Sequence, residues 1–501
     1  MERLPGACRD MGLADVTETC DFLVIGGGSA GCIIARRLAE KSAGRIILLE
    51  AGKKDEGDAA AVDLFRLDDQ TEDYDWGFKA ATLAGRKPEL NYARAKILGG
   101  CANHNDCAFL RPPDSDFAEW QALGAKGWGA ADMAPYFHRV MENTHVEEAP
   151  HHPASQMFVQ AGTELGLEKI DFQKHIAQGV GYFPLNAKGR LRQSSSITYL
   201  HPLSKLPKHL EVWTETQATK ILVENRKAIG AETTRGTIHA SRAVILACGS
   251  IQTPQLMMLS GLGPAQHLRG LGIPLVADMP AVGEHLRDHV GAPIVWETHG
   301  PIAPWEICPF EATMMLQLDD DAPAPDVLFH FGLRVREKYG DDPRLSVNGP
   351  AVKASPNVTR ARSEGRVRLD SSDYRAAPII ELNYFSDPYD MRVLMKAMRF
   401  TRRLMESRSF QTLCKAEVHP GPDVQCDDEW IGYIKSVCET VYHPCGTASI
   451  GRVVTPDLRV KGIDNLIIGD ASIFPSLITT NINCAVMMAA EKAADLVLAE
   501  I

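Results

Sequence analysis

Residues 21–50 read DFLVIGGGSAGCIIARRLAEKSAGRIILLE, and their order decides the fold of this part of the chain. Asp21 to Ile25 is a short apolar run that ends abruptly in glycine, the pattern of a strand buried in a parallel sheet. Cys32 to Lys41 sets Ile33, Ile34 and Leu38 at helical spacing, and Arg45 to Leu49 is strand-like again. The stretch predicts one strand–helix–strand unit of about thirty residues. Between its first strand and its helix lies Gly26-x-Gly28-x-x-Gly31, with Ser29 and Ala30 in the variable places. Glycines there permit a tight turn, close approach of a pyrophosphate and close helix–sheet packing, with the phosphates at the helix N-terminus. Glu50 ends the second strand, where a carboxylate accepts hydrogen bonds from adenosine ribose hydroxyls. A bare G-x-G-x-x-G also serves as a structural turn. Strand, helix and acid in register select the dinucleotide reading, but do not separate FAD from NAD.

Further strands are predicted at Leu210 to Thr214, Ala243 to Ala247 and Leu466 to Ile468, so the nucleotide-binding part is discontinuous in sequence. The intervening stretches, 151–205 and 293–435, alternate polar and apolar residues, as in Thr359 to Leu369 (TRARSEGRVRL), and suit an antiparallel sheet. Asp319 to Asp321, followed by Pro323 and Pro325, reads as a solvated loop. With 501 residues the chain exceeds what one hydrophobic core supports, so two joined domains are expected.

Composition narrows the function classes. Hydrophobic residues make up 45% and charged residues 23%, an ordinary globular balance. A net charge of -11 gives no support to nucleic-acid binding. No apolar run is long enough to span a bilayer. The first twenty residues mix Arg3, Arg9 and Asp10 with Pro5 and Gly6 instead of forming a signal-peptide core, so a cytoplasmic location is expected. The twelve cysteines are scattered, which favours reduced thiols. No C-x-x-C occurs, and Cys101 and Cys107 fit no zinc spacing, so no metal is expected.

Asn91 to Arg111 (NYARAKILGGCANHNDCAFLR) and Gly249 to Pro264 (GSIQTPQLMMLSGLGP) resemble signature segments of the glucose-methanol-choline oxidoreductases. Ala281 to His289 (AVGEHLRDH), Val441 to Thr447 (VYHPCGT), Ile468 to Pro475 (IGDASIFP) and Asn481 to Lys492 (NINCAVMMAAEK) resemble the remaining blocks in order, so the likeness runs from about Asp21 to the C-terminus. It implies a mixed fold, α/β and α+β. A Rossmann-like FAD-binding domain (18–150, 206–292 and 436–501) joins an antiparallel-sheet substrate domain (151–205 and 293–435).

The resemblance also assigns residues. Gly99, Gly100 and Asn105 belong to the flavin-binding segment. The likeness is strongest to the choline-oxidising members, which implies that His104 joins the flavin covalently. Asp106 departs from the small hydroxyl residue expected there. Asp470 and Ala471 are implied beside the flavin ribityl and pyrophosphate groups, with a helix N-cap as the competing role for Asp470. His443 takes the catalytic-histidine position, Asn483 its partner position, and His330, in VLFHFG, that of a further histidine holding the substrate oxygen. Alcohol oxidation removes the hydroxyl proton while hydride leaves carbon for flavin N5, so a histidine near neutrality suits the proton transfer.

Substrate choice rests on departures. Choline-oxidising members hold the quaternary ammonium with a carboxylate two residues past a histidine; here, in DHVGAP, that residue is Gly291. Its loss is expected to enlarge the pocket and favour a bulkier or less charged primary alcohol. Trp305 matches an aromatic lining the choline site, and Asp106 would restore a negative charge for an amino alcohol if it faced the pocket. Val441 matches a small apolar residue near the flavin, which favours dioxygen as acceptor. The alternatives are a dehydrogenase using a quinone or other acceptor, and an FAD-containing lyase of the hydroxynitrile lyase type. The expected partners are a small-molecule alcohol and the electron acceptor, and a homodimer is one assembly to test.

Overall fold

The structure, a computed structural model, describes residues 16–83, 89–335 and 343–499. The opening residues that argued against a signal peptide, Arg3 to Asp10, lie outside the described residues. Strand β1 (Val16–Ile25), helix α1 (Ser29–Lys41) and strand β2 (Ile46–Leu49) form the unit read from residues 21–50. β1 and β2 run parallel, with Phe22 to Ile25 opposite Ile46 to Leu49, all eight buried. β1 starts earlier than its apolar run because Thr17 to Thr19 are partly or fully wet while still pairing with Thr237 to His239. α1 starts at Ser29, earlier than Cys32. Small residues hide that first turn from a hydrophobic pattern, and Gly31 belongs to it because a Cβ there would stand 1.9 Å from the Gly26 carbonyl oxygen.

Sequence-distant strands complete this sheet. Leu210–Trp213 pairs with β2, Gly236–Leu246 with the other side of β1, and Leu466–Ile468 with Gly236–Leu246, all parallel. Lys227–Thr233 and Ala218–Glu224 extend it antiparallel. Because β2 and Gly236–Leu246 flank β1 on opposite sides, the connections diverge at the carboxyl end of β1 and open a crevice there.

The second large sheet runs Cys414–His419, Ile294–Thr298, Ala351–Val358, Val327–Gly332, Phe310–Leu316 and Gly179–Tyr182, antiparallel throughout. Two short strands join it, Val290–Gly291 and Glu439–Thr440, which pair with each other. A third sheet links Glu284–Leu286, Gly365–Arg368, Ile379–Glu381, Lys79–Ala81 and Glu89–Asn91. Of the alternating stretch from Thr359 to Leu369, only Gly365–Arg368 is strand. Arg360 is drawn away to the buried Asp116 and to Glu119. Among the described residues, no helix is long and apolar enough to cross a membrane.

Candidate active site

A cavity of about 400 Å³ begins at the crevice beyond β1 and ends on the antiparallel sheet. Gly26, Gly28, Ser29, Ala30 and Glu50 line one end, and His330, Ser355, Lys353 and Glu439 belong to the other wall. Asp106, His443 and Asn481 also line it.

The first end is built from backbone. Gly26 has φ +105° and packs so tightly that a Cβ would stand 2.5 Å from the Ala247 carbonyl oxygen. Gly28 caps α1 with no side-chain hydrogen bond, so the helix presents its first N–H groups to the cavity, the arrangement that receives a phosphate. Gly31 and Gly99 lie one layer behind, where Gly99 donates its N–H to the Gly27 carbonyl at 2.7 Å. Glu50 accepts from the Gly27 N–H at 2.9 Å and the Gly52 N–H at 2.7 Å. Burial nevertheless pushes its carboxyl up to about 7, those bonds acting in the opposite direction. Asp470 is the N-cap of the short turn Ala471–Ile473, and it also accepts from the Gly249 N–H at 2.9 Å and the Thr253 hydroxyl at 2.6 Å. Both readings of Asp470 meet here, since it and Ala471 line the cavity too. A glycine cradle, an uncapped helix start and an acid at the end of β2 fit the pyrophosphate and ribose of FAD.

The other end is built from side chains. His289 Nε2 lies 2.8 Å from the Ile478 carbonyl oxygen, and its Nδ1 lies 2.8 Å from His443 Nδ1. A carbonyl only accepts, so His289 carries its proton on Nε2 and offers a lone pair at Nδ1. His443 therefore donates from Nδ1 and keeps the lone pair on Nε2. Asn481 Nδ2 reaches that nitrogen at 3.3 Å. Burial, then His289, His330 and Arg94, hold the His443 pKa well below the usual histidine range, so the ring is neutral at pH 7. The backbone is held as firmly as the ring. Asp288 accepts the His443 N–H at 2.8 Å, and takes the hydroxyls of Tyr92 at 2.8 Å, Tyr384 at 2.9 Å and Thr440 on its other oxygen. Tyr442, with φ +63°, is held in the left-handed region by Thr440 Oγ1 on its N–H and Arg94 on its carbonyl.

His330 lies across the strands from Ser355, with Asn357 Nδ2 3.0 Å from its Nδ1. With that amide donating, His330 keeps its proton on Nε2 and is a donor where His443 is an acceptor. Burial, then Lys353 and His289, push its pKa down to about 3.

Several expectations need correction. Asn483 does not partner His443. It opens the helix Asn483–Leu498, and its Oδ1 accepts from Ser29 Oγ at 2.9 Å, while Asn481, in the loop before the helix, reaches His443. Trp305 does not line the cavity; its ring packs under the Arg334 guanidinium, 5.3 Å away, and Arg334 lines the cavity instead. Gly291 does not enlarge the pocket. It is buried in the strand pair, and a Cβ there would stand 2.9 Å from the Pro356 carbonyl oxygen, so the sheet fills the space. His104, Asn105, Asp106, Val441 and Gly100 all line the cavity. His104 is buried, with Nε2 3.7 Å from an Asp75 carboxylate oxygen. His289 and Asp288 were missed. They stand in the recognised block AVGEHLRDH, but nothing in its spacing marks them as partners of His443, 154 and 155 positions on.

A nucleotide crevice that opens onto a neutral histidine with an unprotonated Nε2 is the arrangement a dinucleotide-dependent oxidoreductase needs. Residues 20–291 and 361–490 match the N-terminal and C-terminal family profiles described as GMC oxidoreductase, and the chain belongs to that family. It is 34% identical to choline oxidase of Arthrobacter globiformis, across 95% of this chain and 94% of that one. It is 33% identical to an oxygen-dependent choline dehydrogenase of Rhizobium rhizogenes, across 95% of each. Pyridoxine 4-oxidase from Mesorbium loti superposes with a TM-score of 0.87 at 25% identity, covering 95% of this chain and 98% of that one. Formate oxidase of Aspergillus oryzae shares the fold, with a TM-score of 0.88 at 23% identity over 96% of this chain and 98% of that one. The protein is an FAD-dependent oxidoreductase acting on CH–OH donors.

Proposed function

We propose that the protein oxidises a primary alcohol to the aldehyde, with dioxygen as the final acceptor and hydrogen peroxide as the second product. The observation that carries this reading is the unprotonated Nε2 of His443, faced by the Asn481 amide and fixed in that tautomer by the chain Ile478 carbonyl, His289, His443. FAD, when bound, supplies the hydride acceptor. His443 takes the hydroxyl proton at Nε2, and its Nδ1–H bond to His289 spreads the positive charge that results. Asn481 and the Nε2–H of His330 donate to the substrate oxygen as negative charge develops on it. Gly26, Gly28, Ser29, Glu50 and Asp470 hold the nucleotide, and Gly100 and Asn105 shape the turn that carries His104. We extend the reading to a covalent tether through His104, supported by its burial on the cavity wall. The two-domain division at 151–205 and 293–435 belongs to the same proposal. Val441 on the cavity wall and the oxygen-using relatives support dioxygen over a quinone.

Anaerobic mixing with alcohols tests the central step. His443→Ala lowers the rate of flavin reduction by about 10² to 10⁴ while FAD stays bound; an unchanged rate removes the proposed base. Acid precipitation followed by a spectrum of the pellet tests the tether, which fails if all flavin stays in the supernatant.

A further inference from the structure

The antiparallel wall of the cavity carries an ion pair that the chemistry above does not use. Lys353 and Ser355 share one face of the strand Ala351–Val358, both line the cavity, and Ser355 lies across from His330. Lys353 Nζ lies 3.4 Å from Glu439 Oε2, with side chains 10% and 15% exposed. Glu439 stands on the strand Glu439–Thr440 as the register partner of Gly291. Ser355 is 2% exposed, and its hydroxyl has no hydrogen-bond partner.

We propose that Lys353 is a built-in counter-ion: by engaging Glu439 on the cavity wall it makes the site select an uncharged primary alcohol bearing a hydrogen-bond acceptor and reject alcohols bearing a quaternary ammonium. This rests on the alcohol-oxidation reading above. A cationic substrate at this wall would meet the lysine ammonium, and like charges repel more strongly in a water-poor cavity than in water. Such a cation also loses its hydration and needs a carboxylate in exchange. Glu439 is already engaged. Asp106, another carboxylate on the lining, has a buried Oδ1 with no hydrogen-bond partner and is the competing anchor for a cation, which the Asp106→Asn variant separates from Lys353. An uncharged substrate avoids both costs. The Lys353 ammonium and the Ser355 hydroxyl are then donors for an ether, carbonyl or ring heteroatom.

The test compares choline with its neutral isostere, in which carbon replaces the quaternary nitrogen, using intact FAD-loaded protein. The isostere shows the higher kcat/KM in the unaltered enzyme, by about tenfold or more. Lys353→Met shifts the ratio toward choline by a similar factor, Lys353→Arg keeps the original ratio, and adding Glu439→Gln to Lys353→Met cancels the shift. An unaltered enzyme that prefers choline overturns the proposal without any variant having to fold. So does a ratio that Lys353→Met leaves unchanged while Asp106→Asn moves it. Failure of every alcohol to reduce the flavin is a different outcome, and sinks the alcohol reading itself.

Discussion

At the dinucleotide end, Gly26, Gly28, Gly31 and Glu50 come from one continuous stretch; the glycines act through backbone N–H groups, the positive φ of Gly26 and close packing, and the Glu50 carboxylate holds the Gly27 N–H. At the catalytic end, His289, His330, His443 and Asn481 come from four separate segments and act through ring nitrogens and amides. Backbone recognition demands particular residue types at fixed offsets, so its code is local. Side-chain chemistry demands only that groups converge, and many sequences converge on the same geometry. The first end has no room for an added atom at Gly26 or Gly31, whereas the second depends on single hydrogen bonds.

Gly31→Ala tests the tight end most severely. Its Cβ would stand 1.9 Å from the Gly26 carbonyl oxygen, so the purified protein should lose its FAD and with it all flavin reduction. A variant that retains FAD would show that the crevice is more pliable than this contact implies. His289→Ala probes the other end. Losing the acceptor for His443 Nδ1–H frees the ring to take the wrong tautomer, and flavin reduction should fall by about 10- to 100-fold with FAD content intact. An unchanged rate would break the chain of proton assignments. The two asparagines sharpen the contrast further. Asn481→Ala should slow reduction by about tenfold, while Asn483→Ala should leave it within about twofold and loosen FAD through the lost Ser29 contact. The reverse result would restore Asn483 as the partner of His443.

The smallest effect is one of pH on stability. The pKa of His330 is pushed from 6.5 to about 3 in the folded protein, so between those values the unfolded chain binds a proton that the folded one refuses. Its contribution is fully present above pH 6.5 and is lost as pH falls toward 3. Glu50 and Asp116, raised to about 7 and about 6, act with the opposite sign. The readout is therefore the difference between two Tm profiles: His330→Gln should show a shallower acid decline than the unaltered protein, and parallel profiles would contradict the burial argument.

Much of the fold was legible in the sequence for the same reason as the dinucleotide end. Ile33, Ile34 and Leu38 repeat at helical spacing and are buried, and the apolar runs of β1 and β2 pair in register. What stayed hidden lacked such a period. Thr17 to Thr19 extend β1 while partly wet, and the hairpin of Ala218–Glu224 with Lys227–Thr233 carries few of the apolar runs that mark a buried strand. At the site, family likeness led to His443 and His330 but misread Asn483, Trp305 and Gly291. A one-dimensional match cannot tell which of two asparagines precedes a helix start, nor whether a glycine opens a pocket or is packed against a neighbouring strand.

By itself the sequence determined the strand–helix–strand unit, the glycine turn and the acid that ends it, because each is written in residues a few positions apart and enforced by backbone sterics. Only the tertiary structure decided that His289 fixes the tautomer of His443, that Asn481 is its amide partner, and that Lys353 meets Glu439. Those contacts join residues up to 154 positions apart, brought together by strand register and loop packing that no local pattern encodes.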